Sequence, residues 1–359
     1  MYGLENVLTG LAKNRGVHSF ILIAGVFTLL YAGVNAGPAQ AEDEVDAYIK
    51  PVTVSGEKIA YIAGNHYMFQ GTTAPRLTPY GQVYALAQAT EDDEWALEAQ
   101  YGFQYTFYDC RRSHKDSCND KNWTFRPSVY FKYQGEFDFY MFTRPSSPVV
   151  NRISNPALHV FVRMGDDDFL MTDNPLTLKY FNVGFEHRSN GQTRDALVTQ
   201  VRSQRAYDLG NDRYFDGLSR SSNYISLAAG SQNIRGLSWE AKTKFFFAQE
   251  ADVNWGPLSG VGVDFHDYDM FNLSLGYAWY ATNGDGKIEP KVALTADYTM
   301  GLRGFRSDAI ELALSTPVHL FNGSTKIPLM FRFHHGPMEK LSDYTRSITS
   351  FGVGFAFRY

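Results

Sequence analysis

Between Glu94 and Phe107 the chain reads EWALEAQYGFQYTF, in which Trp95, Leu97, Ala99, Tyr101, Phe103, Tyr105 and Phe107 alternate with Ala96, Glu98, Gln100, Gly102, Gln104 and Thr106. A period of two is that of an extended strand with one apolar and one polar face. SVYFKYQGEFDFYMF (128–142) repeats the pattern, with Val129, Phe131, Tyr133, Phe137, Phe139 and Met141 opposing Lys132, Gln134, Glu136 and Asp138. Strands of soluble sandwiches run to about 5–6 residues, and both of these are longer. Long strands with rings on one face and full charges on the other suit a transmembrane barrel, whose closed sheet pairs every backbone group and turns its apolar face outward.

The alternation continues at the C-terminus, where Phe351, Val353, Phe355, Phe357 and Tyr359 oppose Gly352, Gly354, Ala356 and Arg358. This aromatic ending resembles the assembly signal of bacterial outer-membrane proteins. Further strands are expected near 157–164, 176–187, 223–230, 237–248, 258–266, 271–281, 289–300, 308–316 and 326–335. The total is about twelve, an even number, as bacterial barrels have. The connections are polar: GDDD (165–168), NGDGK (283–287) and FNGST (321–325). NGDGK follows Ala281 where a calcium loop needs Asp, and no Glu stands at the loop's twelfth position, so it reads as a hairpin turn.

Composition sharpens this picture. The chain of 359 residues is 15% aromatic, with 23 Tyr and 27 Phe. Its net charge of -5 contains no basic block, which argues against nucleic acid as a partner. Residues 1–41 read as a cleaved signal peptide: Lys13 and Arg15 precede an uncharged run from Phe20, and Ala39-Gln40-Ala41 offers a small-x-small cleavage site. Residues 42–93 form a periplasmic or barrel-associated segment, and 94–359 the barrel. Cys110 and Cys118 flank a charged loop, and export to an oxidising compartment favours a structural disulfide there.

One segment carries candidate chemistry. In YFNVGFEHRSNG, His187 and Ser189 share parity with Phe181, Val183 and Phe185, so both point outward toward lipid. They stand about 6–7 Å apart at Cα, within reach of imidazole and hydroxyl. A serine needs a base, and the base needs an orienting group. Asn223 shares parity with Ile225, Leu227 and Ala229 on an adjacent strand, and its amide can accept the imidazole N–H without adding a charge. Polarity at a strand end near the membrane edge is the bland alternative, since H-x-S alone is a weak signal. VDFHDYD (263–269), with Asp264 and His266, and the pair His334-His335 lack a third ligand at metal spacing and read as lumen-facing polar rows.

FEHRSNG (185–191) followed by SRSSN (219–223) resembles the signature of the bacterial outer-membrane phospholipase A family, Tyr/Phe-x-His-x-Ser-Asn-Gly and then Ser-Arg-Ser-x-Asn. SSPVVNRISNP (146–156) is similar to the family's first outer loop, and MEKLSDYT with FGVGFAF to its last hairpin. The resemblance implies an outer-membrane barrel, active as a homodimer, that hydrolyses acyl esters of glycerophospholipids with A1/A2 specificity. It implies Ser189 as nucleophile, His187 as general base and Asn223 as its orienting partner. It further implies Ca2+ held by the Ser219 hydroxyl, the Gln192 carbonyl and the Ser146 carbonyl of a second subunit, with the Gly191 N–H facing the oxyanion.

Two features depart from the family pattern. Residues 193–218 form a long insertion bearing Arg194, Arg202, Arg205 and Arg213, suited to anionic head groups. Spacing from Ser146 selects Gln134 as the family's interface glutamine, yet the alternation sends Gln134 inward. The competing functions are an inactive channel or structural barrel and a lipopolysaccharide deacylase.

Overall fold

The computed structural model describes residues 58–62, 66–70, 76–91, 94–110, 125–140, 149–164, 176–190, 220–232, 237–247, 265–282, 288–302, 304, 307–319, 326–341 and 344–357. The expected signal peptide lies outside them. Strands β1 (Lys58–Ile62) and β2 (His66–Gln70) form a two-stranded sheet of their own.

The main sheet has 13 strands. They are β3 (Leu77–Pro79), β4 (Val83–Thr90), β5 (Trp95–Asp109), β6 (Phe125–Phe139), β7 (Val149–Met164), β8 (Tyr180–Ser189), β9 (Ser221–Gln232), β10 (Leu237–Phe246), β11 (Phe271–Thr282), β12 (Ile288–Met300), β13 (Ala309–His319), β14 (Lys326–Gly336) and β15 (Ile348–Phe357). Each strand from β4 to β15 pairs antiparallel with its sequence neighbour, and β15 pairs back onto β4, closing a barrel of 12 strands. Short β3 pairs with the far part of β5, so β3 and β4 run as one strand kinked at Tyr80–Gln82, where Gly81 takes a positive φ of 75°. No edge is left open, and the wall's main-chain groups pair from strand to strand as hydrocarbon requires, save at a break in the β7–β8 ladder. Among the described residues no helix is long and apolar enough to cross a membrane.

The strand count matches expectation through two compensating differences. β4 lies upstream of Glu94 and belongs to the barrel wall. The strand expected at 258–266 is not seen in the described part, where Phe265–Asp267 is a 3-10 turn; 258–264 lie outside the described residues. The NGDGK turn also lies outside them, but β11 and β12 pair up to Thr282↔Ile288, the register of a hairpin. Cys110 is disulfide-bonded in a chain with two cysteines.

Side-chain alternation is as the sequence dictates. On β5 Tyr101, Phe103, Tyr105 and Phe107 are exposed to the outside, while Glu98 is 1% exposed within. The lumen is filled by charged side chains in networks. Arg332 reaches Glu98 (2.9 Å), Glu311 (2.7 Å) and Glu339 (3.1 Å), and Glu339 also accepts from Gln88 (2.6 Å) and Ser350 (2.7 Å). Removing one partner of such a buried set leaves an uncompensated charge, at a cost of about 3–5 kcal/mol.

The rim that carries the β8–β9 connection also carries the β10–β11, β12–β13 and β14–β15 connections, by antiparallel alternation. Parts of these fold into the mouth. Phe265 and Tyr268 from one connection pack with Leu341 and Tyr344 from another against Ile153, with Phe265 and Tyr344 stacked at 4.5 Å. Gly301 lets the β12–β13 connection join this plug, since a Cβ there would come within 1.9 Å of the Asp267 carbonyl oxygen. Below the plug a cavity of about 160 Å³ is lined by charged residues including Arg188, Lys244, Asp269, Asp297, Arg332 and Glu339.

Candidate active site on the outer wall

Strands β8 and β9 pair in a register that sets His187 directly opposite Asn223 and Ser189 opposite Ser221. The expected parity holds. Glu186, Tyr224 and Ser222 are buried in the lumen, whereas Asn223 is exposed and His187 and Ser189 are half-buried at the outer surface. His187 Nδ1 lies 2.8 Å from Asn223 Oδ1. An amide oxygen only accepts, so Nδ1 carries the proton and the neutral ring leaves Nε2 with a free lone pair. Ser189 stands two residues along the same face. Among the described residues no hydrogen bond joins its hydroxyl to His187.

Away from the rim this pair is continued by apolar cross-strand pairs, Phe185↔Ile225 and Val183↔Leu227, all exposed on the outside. Phe247 adds to the wall: its N–H donates to the Asn223 carbonyl at 2.9 Å, and its ring lies 5.9 Å from that of Phe185. From His187 to Phe181 the strand gives about 20 Å of wall. A polar patch of His187, Ser189 and Asn223 therefore caps a column of apolar side chains on the outer face.

The remaining sequence-derived ligands, Ser146, Gly191, Gln192 and Ser219, and the insertion 193–218 lie outside the described residues. What is described is how that connection is pinned. The Asn190 N–H donates to the Arg220 carbonyl at 3.1 Å, and the Arg220 N–H donates to Asn190 Oδ1 at 2.9 Å. Both residues are buried, at 1% and 2% exposure. The chain thus leaves and returns between two residues locked together, immediately beyond Ser189. Asn190 has a structural part that its place in the Ser-Asn-Gly motif does not announce. SSPVVNRISNP, likened to an outer loop, is strand from Val149 onward. Gln134 is part-buried on the parity of Lys132 and Asp138, as the alternation requires. Of the other polar rows, His266 Nε2 accepts from the Phe246 N–H at 3.2 Å and His334 Nδ1 lies 3.2 Å from Glu339, while His335 Nδ1 lies 2.9 Å from Thr349 Oγ1. These are structural contacts. Asp264 lies outside the described residues.

No protein-family model and no curated protein matches the sequence. Solved structures do match the fold. Outer membrane phospholipase A from Escherichia coli superimposes with a TM-score of 0.54 at 18% identity, covering 80% of this chain and 95% of that one. An active-site mutant of the same protein, in which an asparagine is replaced by alanine, matches equally well. The Salmonella typhi outer membrane phospholipase dimer with bound calcium matches with a TM-score of 0.52 at 17% identity, over 80% of this chain and 94% of that one. The chain therefore has the fold of outer membrane phospholipase A, and its architecture is that of an outer-membrane β-barrel.

Proposed function

We propose that this protein is an outer-membrane phospholipase that hydrolyses acyl esters of glycerophospholipids with A1/A2 specificity through Ser189, His187 and Asn223. The observation that carries this reading is the 2.8 Å hydrogen bond between His187 and Asn223, set on the hydrocarbon-facing wall two residues from an outward serine. A channel would gain nothing from an oriented imidazole facing lipid, and its lumen would not need the aromatic plug.

In this reaction Asn223 Oδ1 holds the Nδ1 proton, so that His187 Nε2 takes the proton of the Ser189 hydroxyl as Oγ attacks the ester carbonyl. Collapse of the tetrahedral intermediate passes that proton to the leaving alcohol and leaves an acyl-serine. Water, deprotonated by the same nitrogen, then cleaves the acyl-serine to a free fatty acid. The substrate approaches sideways within the membrane, its chain along Phe185, Ile225, Val183 and Leu227.

The family resemblance assigns the oxyanion to the Gly191 N–H and a calcium site to the Ser219 hydroxyl, the Gln192 carbonyl and the Ser146 carbonyl of a second copy. All three donors are oxygens, which suits a hard cation. The Asn190–Arg220 clamp holds the two ends of the connection that bears Gln192 and Ser219. Bound there, Ca2+ would supply electrostatic stabilisation of the oxyanion. Dependence on a second copy would make dimerisation the switch.

The test is fatty-acid release from phospholipid vesicles by the purified protein and by Ser189→Ala, each with and without a chelator. The proposal expects release that needs both Ser189 and calcium. Release indifferent to both would overturn it, and release from lipopolysaccharide alone would favour the deacylase alternative.

A further inference from the structure

The β7–β8 ladder is interrupted where the site needs it firm. β7 and β8 pair at Ala157↔Glu186 and again at Ser154↔Ser189, with no pairing between. Carrying that register through sets Pro156 opposite His187, and proline has no N–H to donate. Pro127, Pro290, Pro317 and Pro328 are each the third residue from a strand end, at the rim away from the site. Pro156 instead sits in the middle of β7. The strand bearing His187 thus lacks ladder support on one side beside the base.

On the lumen face of the same place stands Glu186, 0% exposed. Its Oε2 accepts from Lys132 Nζ at 2.7 Å and from the Tyr224 hydroxyl at 3.1 Å, and its Oε1 from Lys242 Nζ at 2.7 Å. These donors come from β6, β9 and β10. Glu186 and Tyr224 are cross-strand partners, one step along from the partners His187 and Asn223. The Tyr224 hydroxyl also accepts from Asn155 Nδ2 at 3.2 Å, next to Pro156. The network closes around the gap from inside.

We infer that Glu186 is a positioning residue, which through Lys132, Lys242 and Tyr224 fixes the His187–Asn223 pair on the opposite face of the wall in place of the missing ladder bonds. This deepens the proposed hydrolysis and rests on it for its functional meaning. Charge-assisted bonds in a buried site are strong enough for the task, and a misplacement of about 1 Å in a reacting group costs up to about 100-fold in rate.

The test compares the intact protein with Glu186→Gln and Tyr224→Phe, after heat-modifiable gel migration has confirmed closed barrels. Glu186→Gln should lower kcat for a phospholipid about 10- to 100-fold at unchanged KM, and Tyr224→Phe by about 2- to 10-fold. In 15N-histidine NMR spectra the His187 Nδ1–H signal should shift and exchange faster in both. Should Glu186→Gln fail to close, Tyr224→Phe decides alone. Closed variants with unchanged kcat and an unmoved imidazole signal would overturn the inference, as would losses confined to KM or to the folded fraction. A wild type without Ser189-dependent hydrolysis would remove the proposed function instead, and the NMR comparison would still decide whether Glu186 holds the pair.

Discussion

In the proposed reaction Asn223 does with a neutral amide what a carboxylate does in many serine hydrolases. On a lipid-facing wall a charge would have to be kept out of water, and an amide avoids that penalty while still fixing the tautomer of His187. Asn223→Ala should leave the barrel closed, since the residue is exposed, and reduce kcat about 100-fold; steady-state hydrolysis of a phospholipid in mixed micelles measures it, and wild-type kcat would count against the role. Asn190 differs in kind. Its loss to alanine leaves the buried Arg220 N–H without the Oδ1 acceptor, a cost of about 1–3 kcal/mol. Limited proteolysis should then cut within 191–219 faster, and half-maximal activity should need more calcium. At this scale the sequence made the candidate site legible because parity puts His187, Ser189 and Asn223 on one face and the FEHRSNG and SRSSN segments carry the family resemblance. It hid Glu186, whose partners Lys132 and Lys242 are 54 and 56 residues away and are joined to it only by barrel closure.

At the scale of strands, alternation is legible where the outward face carries rings and the inward face charges, as on β5 and β6. β4 escaped because its contrast is inverted. Tyr84 and Leu86 point inward, where they pack with Met330, and Ala85, Ala87 and Ala89 point outward. Small outward residues read as no pattern at all. The run ending at Phe265 misled for the opposite reason: it alternates, but Phe265 is taken up by the plug, where it stacks on Tyr344. β7 is legible only from 157 because Pro156 interrupts the alternation and SSPVVNRISNP resembles an outer loop; within it Asn151 takes a positive φ of 50°. Both irregularities lie beside the site. Asn151 also ties the plug down, its Nδ2 donating to the Glu339 carbonyl at 3.2 Å and its Oδ1 accepting from the Leu341 N–H at 3.0 Å.

The described barrel is a closed wall around a charged lumen, stoppered at the end that carries the candidate site. Glu339 is the electrostatic pin of that stopper and lies in the β14–β15 connection. Burial raises its carboxyl, but Arg332 and His334 beside it, with hydrogen bonds from Arg332 and Ser350, hold it down at about 2, below its ordinary 4.5. A depressed carboxyl contributes stability in full above pH 4.5, and that contribution is lost as pH falls from 4.5 through 2. Amide exchange in 337–341 should therefore quicken across that window in the wild type. In Glu339→Gln it should be faster already at neutral pH and vary less below 4.5.

The central claim is that a nucleophile works from the outside of this barrel. It is tested most directly by treating the protein in phospholipid vesicles with an alkyl fluorophosphonate, which captures an activated serine, and locating the adduct by peptide mass spectrometry. A single adduct on Ser189 is expected, abolished by His187→Ala and strongly reduced by Asn223→Ala. An unmodified Ser189 in active protein, or an adduct on another residue that tracks the loss of activity, would contradict it.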